Sequence, residues 1–339
     1  MNRFVLDDDN LWSDNALTDR QTDRPQTLSE KIEESKRALK LAAEMSREYY
    51  NKPLVVTYSG GKDSDVMLHL AETTLGPTDF EVLNSHTTVD APETVYHIRE
   101  VFRRLNDHGI KTMIDYHIDD QGKLTTMWNL IPKKLMPPTR IVRYCCAVLK
   151  ESGTIGRMCS VGVREEESSK RKGRDLFSTR GGTYREAAFF SLTHAQEVHE
   201  ESKQIRDDAW DCILIKQMKK QGDAIVNPIY HWTTEDIWKY AEQEGIKLNP
   251  LYECGYERVG CIGCPLATYK GRIKEFSDYP KYKELYIKAF DRMLIERKNK
   301  DLKAEWKTGN EVFDWWIEEH KHNVKGQMTI DEWMKEGSE

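Results

Sequence analysis

A short apolar run that leads directly into a glycine-rich turn constrains this chain more than any other feature. Residues 54–58 are apolar and β-branched, which predicts a buried strand. The turn Ser-Gly-Gly-Lys-Asp-Ser follows at residues 59–64, and residues 63–74 predict an amphipathic helix. A strand, a tight turn and a helix in direct succession are typical of an α/β fold with a parallel sheet.

The same alternation continues along the chain. Further segments with this pattern are predicted as strands at 80–84, 112–118 and 158–163, and as a helix at about 91–108. Such alternation implies parallel strands joined by crossover helices, and ligands of these sheets bind at the carboxyl ends of the strands. We therefore expect the loops after Tyr58, Asn84 and Val163 to meet at one site.

The remaining segments suggest how the chain is divided. Thr27 and Glu30 fit a capping box, which predicts a helix start and separates a polar arm over residues 1–26 from a domain over 27–268. Residues 269–339 predict a helical C-terminal extension with an aromatic set. The polar segment 165–210 predicts a loop over the site.

The turn at 59–64 has the chemistry of an anion site. Gly60 and Gly61 permit backbone torsions that aim several N–H groups at one anion, and the following helix adds its free amides and dipole. Ser59 and Ser64 can donate hydroxyl hydrogen bonds, and Lys62 supplies positive charge.

Two features of this turn limit the interpretation. Asp63 would be unfavourable beside a phosphate unless it binds Mg²⁺ or fixes the loop, and it is also a natural helix N-cap. The spacing is not that of a Walker A motif, and a bare Gly-Gly pair would indicate only an ordinary turn.

The full string at 59–64 resembles the hallmark of the PP-loop family, which comprises ATP pyrophosphatases and sulfonucleotide reductases. The resemblance implies an adenine nucleotide alpha-hydrolase-like fold, α/β, with a parallel five-stranded sheet flanked by helices. It implies ATP or an adenylyl nucleotide as ligand. In the ATP-using members, with Mg²⁺, the α–β phosphate bond is cleaved, AMP is transferred to an oxygen of the acceptor and pyrophosphate leaves.

Two further segments resemble nucleotide-binding parts of this family. Residues 84–90 end in Asp90, a candidate metal or ribose contact, although Asp90 could instead cap the helix that begins near Pro92. Residues 161–171 resemble the Gly-x-Arg segment of sulfonucleotide reductases, which assigns nucleotide contacts to Gly162, Arg164 and Arg171. The alternative for this segment is a solvated charged loop. We take Lys62, Asp63 and Arg164 as the catalytic candidates.

Cysteines form two pairs that are distant in sequence. Cys145 and Cys146 are adjacent, and Cys261 and Cys264 form a C-x2-C turn shaped by glycine and proline. Four thiolates suit either Zn²⁺ or a 4Fe–4S cluster. Of the three other cysteines, Cys159 and Cys212 fit buried and unligated positions.

The surroundings of these pairs resemble assimilatory sulfonucleotide reductases, both in the tandem-cysteine helix with Lys150 and in the Asn-Pro-Leu-Tyr stretch at 249–252. In that family the four cysteines hold a 4Fe–4S cluster, which assigns this role to Cys145, Cys146, Cys261 and Cys264. Cys254 is a fifth candidate that we place outside the cluster. DNA-phosphorothioation ATP pyrophosphatases also carry such a cluster, with a different cysteine arrangement.

One departure favours the ATP-using branch. Sulfonucleotide reductases carry a nucleophilic cysteine near the C-terminus, whereas no cysteine follows Cys264 in the 75 residues that remain. We therefore expect an enzyme that adenylates an acceptor oxygen so that sulfur can replace it, as in DNA phosphorothioation. The alternatives are a sulfonucleotide reductase that uses Cys254 or a partner thiol, and a non-catalytic nucleotide or redox sensor.

Net and local charge limit the classes of partner that this chain is expected to bind. The net charge is −6, which argues against a general DNA-coating protein. Residues 131–150 contain five basic and no acidic residues, and residues 264–300 contain ten basic against five acidic residues. These segments are candidates for the footprint of a nucleic-acid acceptor, bound directly or through a partner protein, and the alternative is that they are solvated helix faces. A sulfur-donor protein is a further expected partner.

Cellular location is the last expectation from the sequence. No apolar run is long enough to cross a bilayer, and the N-terminus has no apolar signal core. Seven cysteines without a signal are typical of a reducing compartment, where clustered cysteines more often bind metal than form disulfides. A soluble, cytoplasmic protein without membrane contact is expected.

Overall fold

The computed structural model describes residues 24–150, 152–154, 156–167, 176–179, 196 and 224–318. Four predictions fall wholly or largely outside these residues: the arm over 1–26, most of the loop over 165–210, the nucleotide contact assigned to Arg171, and the buried position assigned to Cys212.

Six strands form one sheet in the described part of the chain. They are β1 (Leu54–Thr57), β2 (Phe80–Ser85), β3 (Thr112–Asp115), β4 (Cys159–Ser160), β5 (Phe177–Thr179) and β6 (Ala224–Val226). The spatial order is β3-β2-β1-β4-β6-β5. The first five strands of that order are parallel, with Val56 opposite Val82 and Val55 opposite Cys159, and β5 pairs antiparallel with β6. The α/β class and the five parallel strands are confirmed, with one antiparallel edge strand added.

Nine α-helices surround or extend this sheet in the described residues. They are α1 (Leu28–Tyr50), α2 (Lys62–Thr74), α3 (Pro92–Asp107), α4 (Met127–Lys134), α5 (Tyr144–Leu149), α6 (Thr234–Gln243), α7 (Tyr269–Asp278), α8 (Pro280–Asn299) and α9 (Gly309–Glu318). The predicted capping box is present, because the Thr27 hydroxyl accepts from the Glu30 amide while the Glu30 carboxylate accepts from the Thr27 amide. No helix of the described segments has the length and apolar character that a membrane span needs.

The main core lies between the sheet and its helices. The apolar face of α1, including Leu39 and Met45, is fully buried with strand residues such as Val56. A polar contact fixes α1 to the segment before α6. The buried Trp232 indole donates to Ser35 at 3.0 Å, and the Ser35 hydroxyl donates to the Pro228 carbonyl at 2.6 Å. This contact brings the start of α6 to the carboxyl edge of the sheet.

A second core joins the C-terminal helices to residues 249–264, the cysteine segment, which carries Cys261 and Cys264. The buried Trp316 ring packs against Phe276 and Tyr286, with ring centroids 6.1 and 4.8 Å away, and its indole donates to the Pro138 carbonyl at 2.7 Å. Ile262, between two of the candidate ligand cysteines, belongs to the same cluster. Residues on both sides of the predicted boundary at 268 thus share one core, and the division into domains stays a prediction.

Gly263 shows how tightly this core encloses the cysteine turn. Its φ is +72°, and a Cβ built there would lie 2.6 Å from the Phe276 ring and 3.0 Å from the Trp316 ring. Gly255 has a similar φ of +77°, but nothing lies within 4 Å of a Cβ at that position. The two glycines therefore differ in packing and share the same backbone requirement.

We predict that Gly263→Ala destabilises the protein much more than Gly255→Ala. Left-handed backbone strain costs each variant about 1–2 kcal/mol, and overpacking adds about 1–3 kcal/mol only at residue 263. Urea unfolding of the two variants measures the difference. Equal losses of unfolding free energy would show that the aromatic cluster does not enclose Gly263.

Candidate functional site

The turn between β1 and α2 is closed by its own side chains. Gly60 has φ +71°, and a Cβ there would lie 3.0 Å from the Ile98 side chain and 3.2 Å from Thr94, so glycine meets both a torsional and a steric requirement. The Ser64 hydroxyl donates to the Gly61 carbonyl at 2.7 Å and accepts from the Gly61 amide at 3.1 Å. Ser64 therefore shapes the loop from within, and Ser59 lies beside it, with 3.2 Å between the two hydroxyl oxygens.

Asp63 lies between two cations at the start of α2. One carboxylate oxygen is 2.8 Å from the Lys62 ammonium, and the other accepts from Arg164 Nε at 2.6 Å. Arg164 is almost fully buried, which makes this ion pair stronger than one on the surface. Of the roles considered for Asp63, this geometry favours fixing the loop over binding Mg²⁺. Asp63 is not the helix N-cap, because the N-cap of α2 is Gly61.

The segment after β4 reaches the same place. Besides Asp63, the Arg164 guanidinium contacts the Thr234 hydroxyl at 3.2 Å, in the first turn of α6. Gly162 lies against the backbone of the turn, since a Cβ there would be 3.5 Å from the Asp63 carbonyl. The structure thus brings Gly162 and Arg164 together with residues 59–64, as the sequence predicts.

Asp90 lies in the loop after β2 but does not cap a helix. The N-cap of α3 is Ala91, which makes no side-chain capping bond, so the capping alternative is wrong. The Asp90 carboxylate instead turns back to Thr87, accepting from its amide at 3.1 Å and its hydroxyl at 2.8 Å. Asp90 precedes the N-cap residue by one position, and its carboxylate binds Thr87 and not the amides of the first helical turn.

The four candidate ligand cysteines converge beside Asp90. Cys261 pairs with Asp90 in an isolated antiparallel bridge, and the Ile262 amide donates to the Val89 carbonyl at 2.8 Å. A hydrogen bond to Cys146, burial and the charges of Cys261 and Cys264 raise the pKa of Cys145 far above its usual range. The ionisation of Cys145 is thus coupled to the other three thiols.

The charges around these thiols are balanced by Lys150. Burial raises the pKa of Cys261 to about 11, against the opposing effect of Lys150. The charge of Cys261, together with that of Asp90, in turn raises the pKa of Lys150. A lysine beside the thiols favours their ionised form, which is the form that binds metal.

The donor set fits a sulfur-ligated group. Within the described ranges no three His, Cys, Asp or Glu side chains are already arranged to hold a metal ion. Four converging thiols nonetheless match the ligands of Zn²⁺ and of a 4Fe–4S cluster. Cys254 is exposed, unlike the half-buried Cys261 and Cys264.

Two residues that our sequence reasoning did not single out join the turn to the cysteine segment. The buried Asn249 amide group donates to the Gly60 carbonyl at 2.9 Å and to the Thr94 hydroxyl at 3.1 Å. The Lys62 backbone amide donates to the Tyr252 hydroxyl at 2.9 Å. The only sequence signal was the Asn-Pro-Leu-Tyr stretch, which suggested the cysteine loop and gave no sign of this contact.

A buried polar cluster under the turn was also missed. The Asp65 carboxylate accepts from the Tyr58 hydroxyl at 2.5 Å and lies 3.1 Å from His97 Nε2, and all three side chains are buried. The cluster connects the end of β1, the first turn of α2 and α3. It fixes the elements that carry residues 59–64.

The profile of the phosphoadenosine phosphosulfate reductase domain family matches residues 53–267, which include the turn, the Arg164 segment and all four candidate ligand cysteines. The chain belongs to this family. The PP-loop resemblance drawn from residues 59–64 is thereby confirmed.

Relatives within and around this family are distant. The uncharacterized protein MJ0066 of Methanocaldococcus jannaschii is 27% identical over 243 residues, which are 69% of this chain and 40% of that protein. Adenosine 5'-phosphosulfate reductase of Bacillus mycoides is 24% identical over 270 residues, covering 77% of this chain and 88% of the relative. The chain thus spans less than half of MJ0066 and most of the reductase.

Solved structures with some likeness are also distant. A phosphoadenylyl-sulfate reductase from Candida auris in complex with phosphate has a TM-score of 0.39 and 13% identity, covering 71% of this chain and 98% of its own. The U34-tRNA thiolase NcsA from Methanococcus maripaludis, solved with its [4Fe-4S] cluster, has a TM-score of 0.39 and 14% identity, covering 81% and 82%. At these scores the likeness carries no argument about function.

Glu275 in α7 supports the cysteine turn from below. Its carboxylate accepts from the Gly263 amide at 2.7 Å. Burial raises the pKa of Glu275 to about 7, despite the opposing effects of Gly263, Arg258 and Arg272. The folded state therefore favours the protonated carboxyl more than the unfolded chain does.

We predict that this group makes the protein less stable as the pH rises from about 4.5 to about 7. The unfolded chain loses the proton first, so the contribution is fully present below pH 4.5 and is lost through pH 7, about 3 kcal/mol in all. Urea unfolding at a series of pH values should show this slope in the wild type and not in Glu275→Gln. The same slope in both proteins would contradict the assignment.

Proposed function

We propose that this protein is an ATP pyrophosphatase that adenylates an acceptor oxygen in preparation for sulfur transfer. ATP would bind at residues 59–64, and its α–β phosphate bond would be cleaved to give a bound AMP group and pyrophosphate. The observation that carries the proposal is the Lys62–Asp63–Arg164 cluster at the start of α2, directly beside the cysteine segment.

The chemistry follows from the charges of this cluster. Two cations face two carboxylates, because Glu166 also pairs with Arg164 at 3.4 Å. The attraction for a polyphosphate therefore comes from the amides at the start of α2 and from the Lys62 ammonium when it turns from Asp63. In the transition state negative charge grows on the phosphate oxygens, and Lys62 and the amides are placed to stabilise it. Arg164 holds Asp63, and through it the loop, in position.

The other groups have separate roles in the proposal. Mg²⁺ would accompany the nucleotide near Asp90, whose carboxylate lies at the carboxyl end of β2. Cys145, Cys146, Cys261 and Cys264 would hold a 4Fe–4S cluster, which when bound would supply a site for sulfur or a rigid link between the two segments.

A nucleic acid is the acceptor that we propose, bound directly or through a partner protein, with a separate protein as sulfur donor. α4 packs against α8, which brings the two basic segments of the sequence side by side. Lys133 and Lys134 on α4 and Lys288 and Lys298 on α8 are exposed. Neighbouring lysines on adjacent helices are suited to phosphate backbone contacts.

Sulfonucleotide reduction is the second candidate, favoured by the relatives named adenosine 5'-phosphosulfate reductase. Cys254, which is exposed, would be the nucleophile in that case. The two functions share the nucleotide site and differ in the product that the protein releases.

The deciding experiment uses protein purified without oxygen and supplied with iron and sulfide. Incubation with ATP and Mg²⁺, with and without plasmid DNA or total RNA, should yield pyrophosphate, with the AMP group on the acceptor oxygen or, where water takes the place of the acceptor, released as AMP. Sulfite from adenylyl sulfate, with no AMP from ATP, would instead support the reductase.

We predict that Lys62→Ala and Asp63→Ala each reduce pyrophosphate release at least 100-fold, the usual scale for loss of a charge-stabilising group. Lys40→Ala, an exposed lysine on α1, is the matched control and should leave the rate unchanged. Iron content should stay the same in all three variants. Full pyrophosphate release by Lys62→Ala would show that the loop assignment is wrong.

We predict that Cys261→Ser loses most of its iron and visible absorbance after reconstitution, whereas Cys254→Ser keeps both. Serine is a poor ligand for iron compared with thiolate, and Cys254 is exposed and lies outside the converging set. Iron and sulfide analysis of the two purified variants checks this. Loss of iron in Cys254→Ser would place that cysteine among the ligands.

A further inference from the structure

The first amide of α2 already has a partner in this structure. Lys62 is the first residue of the helix, and its N–H has no intrahelical acceptor. It donates to the Tyr252 hydroxyl at 2.9 Å. Amides in this position are the donors that a phosphate oxygen uses at a helix start, so the phenol lies where an anion would bind.

Tyr252 is held there from two sides. Asn249, three residues earlier, is buried and bonded to the Gly60 carbonyl, which fixes the turn that carries the tyrosine. The Trp238 ring lies edge-on to the Tyr252 ring with centroids 5.4 Å apart, and Trp238 is 41% exposed. Tyr252 itself is half-buried and not enclosed by the core.

The same residue leads into the cysteine segment. After Tyr252 the chain turns back on itself, with the amides of Cys254 and Tyr256 donating to the Leu251 carbonyl at 3.1 Å each. The backbone of Val259 interacts with the Tyr252 hydroxyl, and Cys261 follows two residues later. A change at the phenol therefore reaches the cysteine turn through fewer than ten residues.

We propose that the Tyr252 hydroxyl is a latch that competes with nucleotide phosphate for the Lys62 amide and couples nucleotide binding to the position of residues 253–261. A bound phosphate displaces the phenol and releases this segment from the turn. Because linkage is reciprocal, whatever holds the segment in place also weakens nucleotide binding. The inference rests on the proposed nucleotide site and does not require the ATP cleavage step.

The first test measures affinity with α,β-methylene-ATP, which cannot be cleaved between the α and β phosphates. We expect Tyr252→Phe to bind this analogue about three- to tenfold more tightly than the wild type, the effect of removing one competing hydrogen bond. The matched control is Tyr256→Phe, since its hydroxyl lies in the same segment but donates to Asp278 at 2.7 Å. That variant should bind as the wild type does.

The second test follows amide hydrogen exchange of residues 253–261 in the full chain. The analogue should accelerate exchange there in the wild type, a result that needs no variant. In Tyr252→Phe exchange should be fast without the analogue and unchanged by it, and Tyr256→Phe should respond like the wild type.

Several results would overturn the proposal. Unchanged or weaker affinity of Tyr252→Phe for the analogue would show that the phenol does not compete with phosphate. Tighter binding without any change in amide exchange would show that nucleotide binding is not coupled to residues 253–261. Failure of both proteins to bind the analogue would overturn the latch together with the nucleotide site. A protein that binds and responds as described but releases no pyrophosphate from ATP would leave the latch supported and the proposed cleavage wrong.

Discussion

The site depends on how the turn between β1 and α2 satisfies its own polar groups. A helix start leaves several amides without partners, and a buried turn cannot leave them to water. Here the Ser64 hydroxyl binds the turn from within, Asn249 takes the Gly60 carbonyl and Tyr252 takes the Lys62 amide. The last two come from nearly 190 residues away, so distant parts of the chain complete the polar contacts of this turn in the structure without nucleotide.

These distant contacts explain why the C-terminal helices matter to a site they do not enter. The cysteine turn lies on the aromatic cluster of Phe276, Tyr286 and Trp316, and the Tyr286 hydroxyl donates to the Ile262 carbonyl at 2.9 Å. On its other side the turn pairs with the Asp90 loop at the edge of the sheet. The two cores are therefore connected through the cysteine segment, and rigidity in one supports the geometry of the other.

Sequence patterns predicted the strands and turns that depend on neighbouring residues, but not the contacts between distant segments. The strand at 54–57 and the turn at 59–64 follow from β-branched residues and glycines, but β5 and β6, with three residues each beside a polar segment, gave too short a pattern to detect. The alternative in which Asp90 caps α3 was wrong, because its carboxylate accepts from Thr87, which is just as close in sequence. Tyr252 could not be predicted, because its hydroxyl finds its partner only through the fold.

The acidic residue Asp63 can belong to a phosphate site because Arg164 compensates its negative charge. Asp63 beside a polyphosphate would repel it, but both of its oxygens are already occupied by cations. Arg164 is buried and also held by Thr234, whereas Lys62 has a longer, more adaptable stem. In the function that we propose, Lys62 can turn from Asp63 to a phosphate while Arg164 keeps the carboxylate neutralised. Asp63 then orients the Lys62 side chain in the protein without nucleotide. This role requires Arg164 as a second cation, because Arg164 neutralises the Asp63 carboxylate when Lys62 has turned to the phosphate.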